Sequence, residues 1–111
     1  MYVAYKDPEK QKAAQRRWYE KQDKAKRVAH NRAERKKRYD VINALKLERG
    51  CDRCGYNRCV AALEFHHTGE KNFEVSAGII ACKNIDDILA ECDICELICA
   101  NCHREEHFNA P

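Results

Sequence analysis

The sequence predicts a small α+β zinc domain preceded by a long basic helix, and three observations predict it. All eight cysteines of the 111-residue chain fall between Cys51 and Cys102, and four of them form two widely separated Cys-x-x-Cys pairs. Charge is unevenly divided: residues 6–49 hold 16 Lys and Arg against 7 Asp and Glu, whereas residues 50–111 hold 5 against 11. Strong helix formers fill the first part, and short alternating apolar and polar stretches fill the second. The expected division is a basic helical arm over residues 1–40 and a zinc-stabilised domain over residues 41–111. A domain of that size buries too little apolar surface to be secure alone, and a bound metal is a usual remedy.

The helix is expected over residues 7–47. Asp7 can cap it, Pro8 suits the first helical position, and Glu9 favours the positive end of the helix dipole. No Gly or Pro follows until Gly50, which is expected to end it. Ala14, Trp18, Ala25, Val28 and Ala29 form only a thin apolar stripe, so the helix is expected to project or to break near Asn31. Its last turns, with Tyr39, Val41, Ile42, Leu45 and Leu47, are expected to dock on the zinc domain. Beyond Gly50, residues 61–67 alternate as a strand, and residues 72–76 read as a second, with Phe73 and Val75 on one face. Asn84 can cap a short helix through Cys92 that turns Ile85, Ile88 and Leu89 inward. Residues 96–99 read as extended and residues 102–108 as a last helix.

Cys51-x-x-Cys54 and Cys99-x-x-Cys102 supply the four thiolates that tetrahedral zinc prefers. The stretch between the two pairs is longer than in a simple zinc ribbon, so the ion is expected to clamp the base of an excursion. A rival set is Cys92, Cys95, Cys99 and Cys102, which would leave Cys51 and Cys54 without partners. Cys59, Cys82, Cys92 and Cys95 otherwise read as small buried hydrophobes, with a second zinc left open.

Four of the five histidines form two groups: the doublet His66–His67, and His103 with His107 four residues apart on one helical face. With zinc satisfied by cysteine, these can converge on a second divalent ion rather than serve as surface residues. Adjacent strand residues point to opposite faces, so one of the doublet can bind an ion while the other moves a proton. An imidazole, with an ordinary pKa of about 6.5, is suited to that task.

The run Leu63-Glu64-Phe65-His66-His67, then Glu70-Lys71, then Leu97-Ile98-Cys99-Ala100-Asn101-Cys102-His103-Arg104-Glu105-Glu106-His107, resembles the HNH endonuclease family. It is similar in particular to the small HNH proteins of bacteriophages, over roughly residues 47–108. The resemblance implies a ββα-metal (His-Me finger) fold held by the four-cysteine zinc. It implies that His66 and His103 bind a catalytic divalent ion, that His67 is the general base, and that His107 is a further ligand or phosphate contact. The family's middle asparagine falls on Ile94, so a backbone carbonyl is expected to orient His67 instead. Asn101 is expected to make a local hydrogen bond within the second knuckle.

The expected reaction is hydrolysis of a DNA phosphodiester by a one-metal scheme that nicks duplex DNA. Imidazole donors suit Mn²⁺, Ni²⁺ or Zn²⁺, and Mg²⁺ can serve with phosphate oxygens. Arg104 is a candidate phosphate clamp, a surface salt bridge being its plainer role. Lys24, Lys26, Arg27, Arg32, Arg35, Lys36, Lys37 and Arg38 form a positive stretch expected to hold the DNA backbone, with a merely solvated helix face as the alternative. Competing functions are a non-catalytic zinc-dependent nucleic-acid-binding module or packaging accessory, and a protein–protein adaptor. The phage resemblance adds a packaging protein as a candidate partner. No apolar run suggests a signal peptide or a membrane span, so the cytoplasm, that of the host if phage-encoded, is the expected location.

Overall fold

A computed structural model describes residues 7–111. Helix α1 spans Pro8–Arg49. Asp7 Oδ1 accepts from the Glu9 backbone N–H at 3.0 Å, the cap that the sequence suggests. Gly50 ends the helix in the left-handed region (φ 69°), its N–H donating to the Lys46 carbonyl at 2.8 Å. The helix does not break at Asn31. The chain divides into two compact units between Ala33 and Glu34, so the last turns of α1 belong to the C-terminal unit.

In that unit a 3₁₀ turn at Val60–Ala62 leads into strand β1 (Leu63–His67). Helices α2 (Val75–Ile80) and α3 (Ile85–Asp93) follow, then strand β2 (Cys95–Cys99) and helix α4 (Ala100–Asn109). The two strands pair antiparallel, with Leu63 opposite Cys99 and His67 opposite Cys95. Asn84 caps α3 as expected, its side chain accepting from Asp86 N at 2.8 Å.

The second strand expected at residues 72–76 is not there; Val75 and Ser76 open α2. Those five residues alternate, but β1 finds its partner in β2, and Phe73 and Val75 pack inward without a ladder. The Phe73 ring lies against Gly78, where an added Cβ would come within 2.6 Å of it. A side chain at that position would keep the ring from packing.

Two apolar clusters meet at Phe65. One joins Ile42, Val75, Ile79, Ile88, Cys92 and Cys95; the other joins Cys51, Leu63, Leu97, Ile98 and Cys99. Of the residues expected to dock from the end of α1, Ile42 is 1% exposed and Leu45 packs beside it. Tyr39, Val41 and Leu47 remain exposed, because one helix can turn only one stripe inward.

Arg49 ties these pieces together. Its guanidinium donates to Asp52 through Nε and Nη2, and to the carbonyls of Cys92 and Cys95. Asp52 in turn pairs with β2: its N–H donates to Leu97 O at 2.8 Å, and its Oδ2 accepts from Leu97 N at 3.0 Å. That pairing sets the first cysteine knuckle beside the second.

Candidate functional site

The Sγ atoms of Cys51, Cys54, Cys99 and Cys102 all lie within 4.8 Å of one another. Cys54 and Cys99 sulfurs are 3.6 Å apart, close to the edge of about 3.8 Å for a tetrahedron of sulfurs ~2.3 Å from zinc. Each knuckle is shaped locally. Gly55, at φ 78°, closes the first, and its N–H reaches the Cys51 carbonyl at 2.8 Å. The second forms as β2 turns into α4, with the Cys102 N–H pointing at Cys99 Sγ.

Burial alone would raise the Cys51 thiol, yet N–H donors of Cys99, Cys54 and Arg53 outweigh it and bring its pKa down to about 6. Cys102 moves the other way, pushed up by the Cys99 sulfur beside it and then by burial. Four sulfurs this close need a cation among them if all are to ionise. The four cysteines are thus positioned to hold a metal ion.

The rival set fails. Cys92 is fully buried in the apolar cluster, where burial pushes its thiol up to about 11, and burial raises Cys95 as well. Both are packing residues. Cys59, expected to be buried, is exposed, and Cys82 is half-buried.

The two histidines of β1 leave on opposite faces, as strand geometry requires. His66 turns toward α4, its ring centre 5.5 Å from that of His103. His103 and His107 bring their Nε2 atoms to 2.9 Å, while His103 Nδ1 lies 3.4 Å from Glu64 Oε2. Two imidazole nitrogens at that separation need a proton or a cation between them. Of the three nitrogen donors expected for a second ion, two are therefore in contact and the third is adjacent. Among the described residues, the four cysteines remain the one group of three or more donors set for an ion as they stand.

His67 turns toward α3. Its Nε2 lies 2.8 Å from Glu91 Oε1, and because the carboxylate accepts, Nε2 carries the proton. Glu91 is 2% exposed and also accepts from the Asn72 backbone N–H and side-chain amide, at 3.0 and 2.9 Å. Burial alone would raise the Glu91 carboxyl, but the Asn72 donors, then His67 and the Phe73 N–H, hold it below its ordinary range. The expectation of a backbone carbonyl is thus corrected: a buried carboxylate holds the His67 ring. Ile94, the position of the missing asparagine, caps α3 with its side chain 48% exposed. Asn101 is exposed and its side chain makes no hydrogen bond with the described residues.

Sequence reading missed Glu91, Asn72, Glu64 and Glu106. The signal for Glu91 was present, since it lies three residues after Ile88 on the inward face of α3, where a lone carboxylate must find donors. Glu106 accepts from Arg53 through Oε1 at 3.1 Å, and Arg53 also reaches Glu96. Arg53 holds the Glu106 carboxyl below its ordinary range, and the charges of His66 and His107 add to this.

The basic stretch is divided between residues that pack and residues that stand exposed. Arg35 donates to the Ile80 carbonyl at 2.9 Å, and Arg38 to those of Lys83 and Cys82, so both close off the end of α2. Arg38 is further paired with Glu34. Lys36 and Lys37 make exposed ion pairs with Asp40 and Glu34. Lys24, Lys26, Arg27 and Arg32 stand exposed on α1. Arg104 is exposed and pairs with none of the described residues, so the surface salt bridge that would be its plainer role is absent. No helix among the described residues is long and apolar enough to cross a membrane.

No family model, curated protein or solved structure matches the chain.

Proposed function

We propose that the chain is a metal-dependent DNA endonuclease of the HNH type, with zinc at the four cysteines as its structural ion. The observation that carries this is the His67–Glu91 pair. A buried carboxylate fixing one imidazole nitrogen, on a strand whose other face turns His66 toward two more histidines, is more than a scaffold or a passive DNA clamp needs. The pairing of β1 with β2 and the helix α4 that follows β2, with histidines on β1 and α4, support the reading, α2 and α3 forming an excursion between the strands.

With the Nε2 proton donated to Glu91, the lone pair of His67 stands on Nδ1. It takes a proton from water as the water oxygen bonds to phosphorus. The bond from phosphorus to the leaving 3′ oxygen breaks, and that oxygen takes a proton from solvent, which leaves a 5′ phosphate. A divalent ion near His66, His103 and His107 would supply stabilisation of the charge that gathers on phosphate oxygens. Arg104 is free to contact a neighbouring phosphate, and the exposed bases of α1 would replace counterions along the backbone.

The test is cleavage of supercoiled plasmid by the zinc-loaded protein with Mg²⁺, Mn²⁺, Ni²⁺ or EDTA, beside His67→Ala. Metal-dependent nicking by the wild type and none by the folded variant is expected. A wild type that shifts DNA in a gel yet cuts neither duplex nor single strands with any ion would leave the binding-module reading in its place.

A further inference from the structure

We propose that Glu106 is a ligand of the second divalent ion, giving this chain a mixed imidazole–carboxylate site that accepts Mn²⁺. The inference rests on the reading above only for the existence of that ion. Among the described residues, two buried side-chain polar atoms have no hydrogen-bond partner: His66 Nδ1 and Glu106 Oε2. They come from different elements, β1 and α4, and the same histidine pair accompanies both. His66 packs against the ring of His103, and Glu106, three residues after His103 on α4, is near enough to His66 and His107 for their charges to act on its carboxyl. Buried polar atoms are rarely left unpaired, since an unmet acceptor or donor loses its water and gains nothing. Two such atoms beside a pair of facing imidazole nitrogens mark a place where something polar belongs.

The chemistry of the donors narrows what that is. The two unpaired atoms are a carboxylate oxygen and an imidazole nitrogen, and beside them the Nε2 atoms of His103 and His107 share a proton or a cation. One cation would serve these donors if they closed on it; as they stand, no three of them lie near enough to share an ion. The Glu106 carboxylate is also held in place from its far side: Arg53 takes Oε1 and leaves Oε2 buried. This is how an outer partner commonly fixes a metal-binding carboxylate. Glu64 has the other role. Its contact is with Nδ1 of His103, the ring nitrogen away from His107, so it is a positioning residue for His103. A site of imidazoles alone suits zinc, nickel or copper, and one hard oxygen donor moves its preference toward Mn²⁺.

Direct Mn²⁺ binding to the zinc-loaded full chain, read by electron paramagnetic resonance, tests this without recourse to cleavage. Glu106→Gln is expected to weaken Mn²⁺ at least tenfold while leaving the zinc content and melting temperature near wild type. Glu106→Asp should recover part of the affinity, and His67→Ala should bind Mn²⁺ as the wild type does. Arg53→Gln separates ligation from support, and a loss smaller than that of Glu106→Gln is expected. Mn²⁺ affinity of Glu106→Gln within twofold of wild type would overturn the assignment, as would a wild type that binds no Mn²⁺. If Glu106→Gln and wild type bind alike and both nick DNA, the ligand assignment fails and the nuclease reading survives. If Glu106→Gln loses Mn²⁺ but no form of the protein cuts DNA, the ligand stands and the nuclease reading falls.

Discussion

At the scale of the residue, the proposed activity and the stability both bear on the His67–Glu91 pair, and the two can be separated. His67→Ala should lower plasmid cleavage by about 10²–10⁴-fold, the usual worth of a positioned general base. Glu91→Gln keeps the shape but no longer demands a donated Nε2 proton, so cleavage should fall by about 10–100-fold, a loss typical of removing the partner of an oriented imidazole. Glu91 also links folding to pH. Its folded pKa is depressed from 4.5, so its contribution to stability is complete above that value and is lost as pH falls through the folded one. Urea denaturation should therefore show wild type more stable than Glu91→Gln at pH 7, with the gap closing in acid below about pH 4.5. A gap that is constant with pH would mean that Asn72 and His67 do not hold a charged Glu91.

At the scale of the element, the end of α1 is a core helix and its beginning is not. Ile42→Ala should cost about 2–5 kcal/mol by denaturant unfolding, since the side chain is fully buried against α2 and α3. The basic residues divide accordingly. Lys24, Arg27 or Arg32 to Ala should reduce the salt dependence of DNA binding by about 0.9 in log–log slope for each phosphate no longer neutralised. Arg38→Ala should instead lower the melting temperature, because its guanidinium closes off the end of α2. Much of this is legible in the sequence: the caps at Asp7 and Asn84, the stop at Gly50, the first strand and both knuckles follow from local chemistry. What is not legible depends on distant partners. Residues 72–76 alternate like a strand, but whether a strand forms depends on an edge being offered, and β2 already pairs with β1. Arg35 and Arg38 look like any basic residue until the carbonyls ending α2 are set beside them. The two faces of the His66–His67 doublet are readable from strand period alone, whereas Glu91 and Glu106 require the packing of α3 and α4.

At the scale of the whole molecule, the four cysteines hold a unit that is otherwise thinly built. Its apolar clusters are small and its sheet has two strands. Stripping the ion with a strong chelator, or Cys51→Ser, should therefore abolish cooperative thermal unfolding, while Cys59→Ser should leave the melt unchanged. Retention of a sharp melt after metal removal would show that the apolar clusters suffice by themselves.

The separation of the knuckles has a further consequence. Cys54 and Cys99 stand 45 positions apart, and β1, α2, α3 and β2 all lie between them. An ion held by the four cysteines would therefore act as a clasp on a long loop whose ends must meet before the strands can register, and closing that loop is costly and slow next to forming a helix. The histidines of β1 and α4 sit at the two ends of the same loop. Assembly of the histidine cluster and capture of an ion at the cysteines would then be one event. On the proposed nuclease reading, a freshly made chain would stay harmless to DNA until it had acquired an ion at the four cysteines.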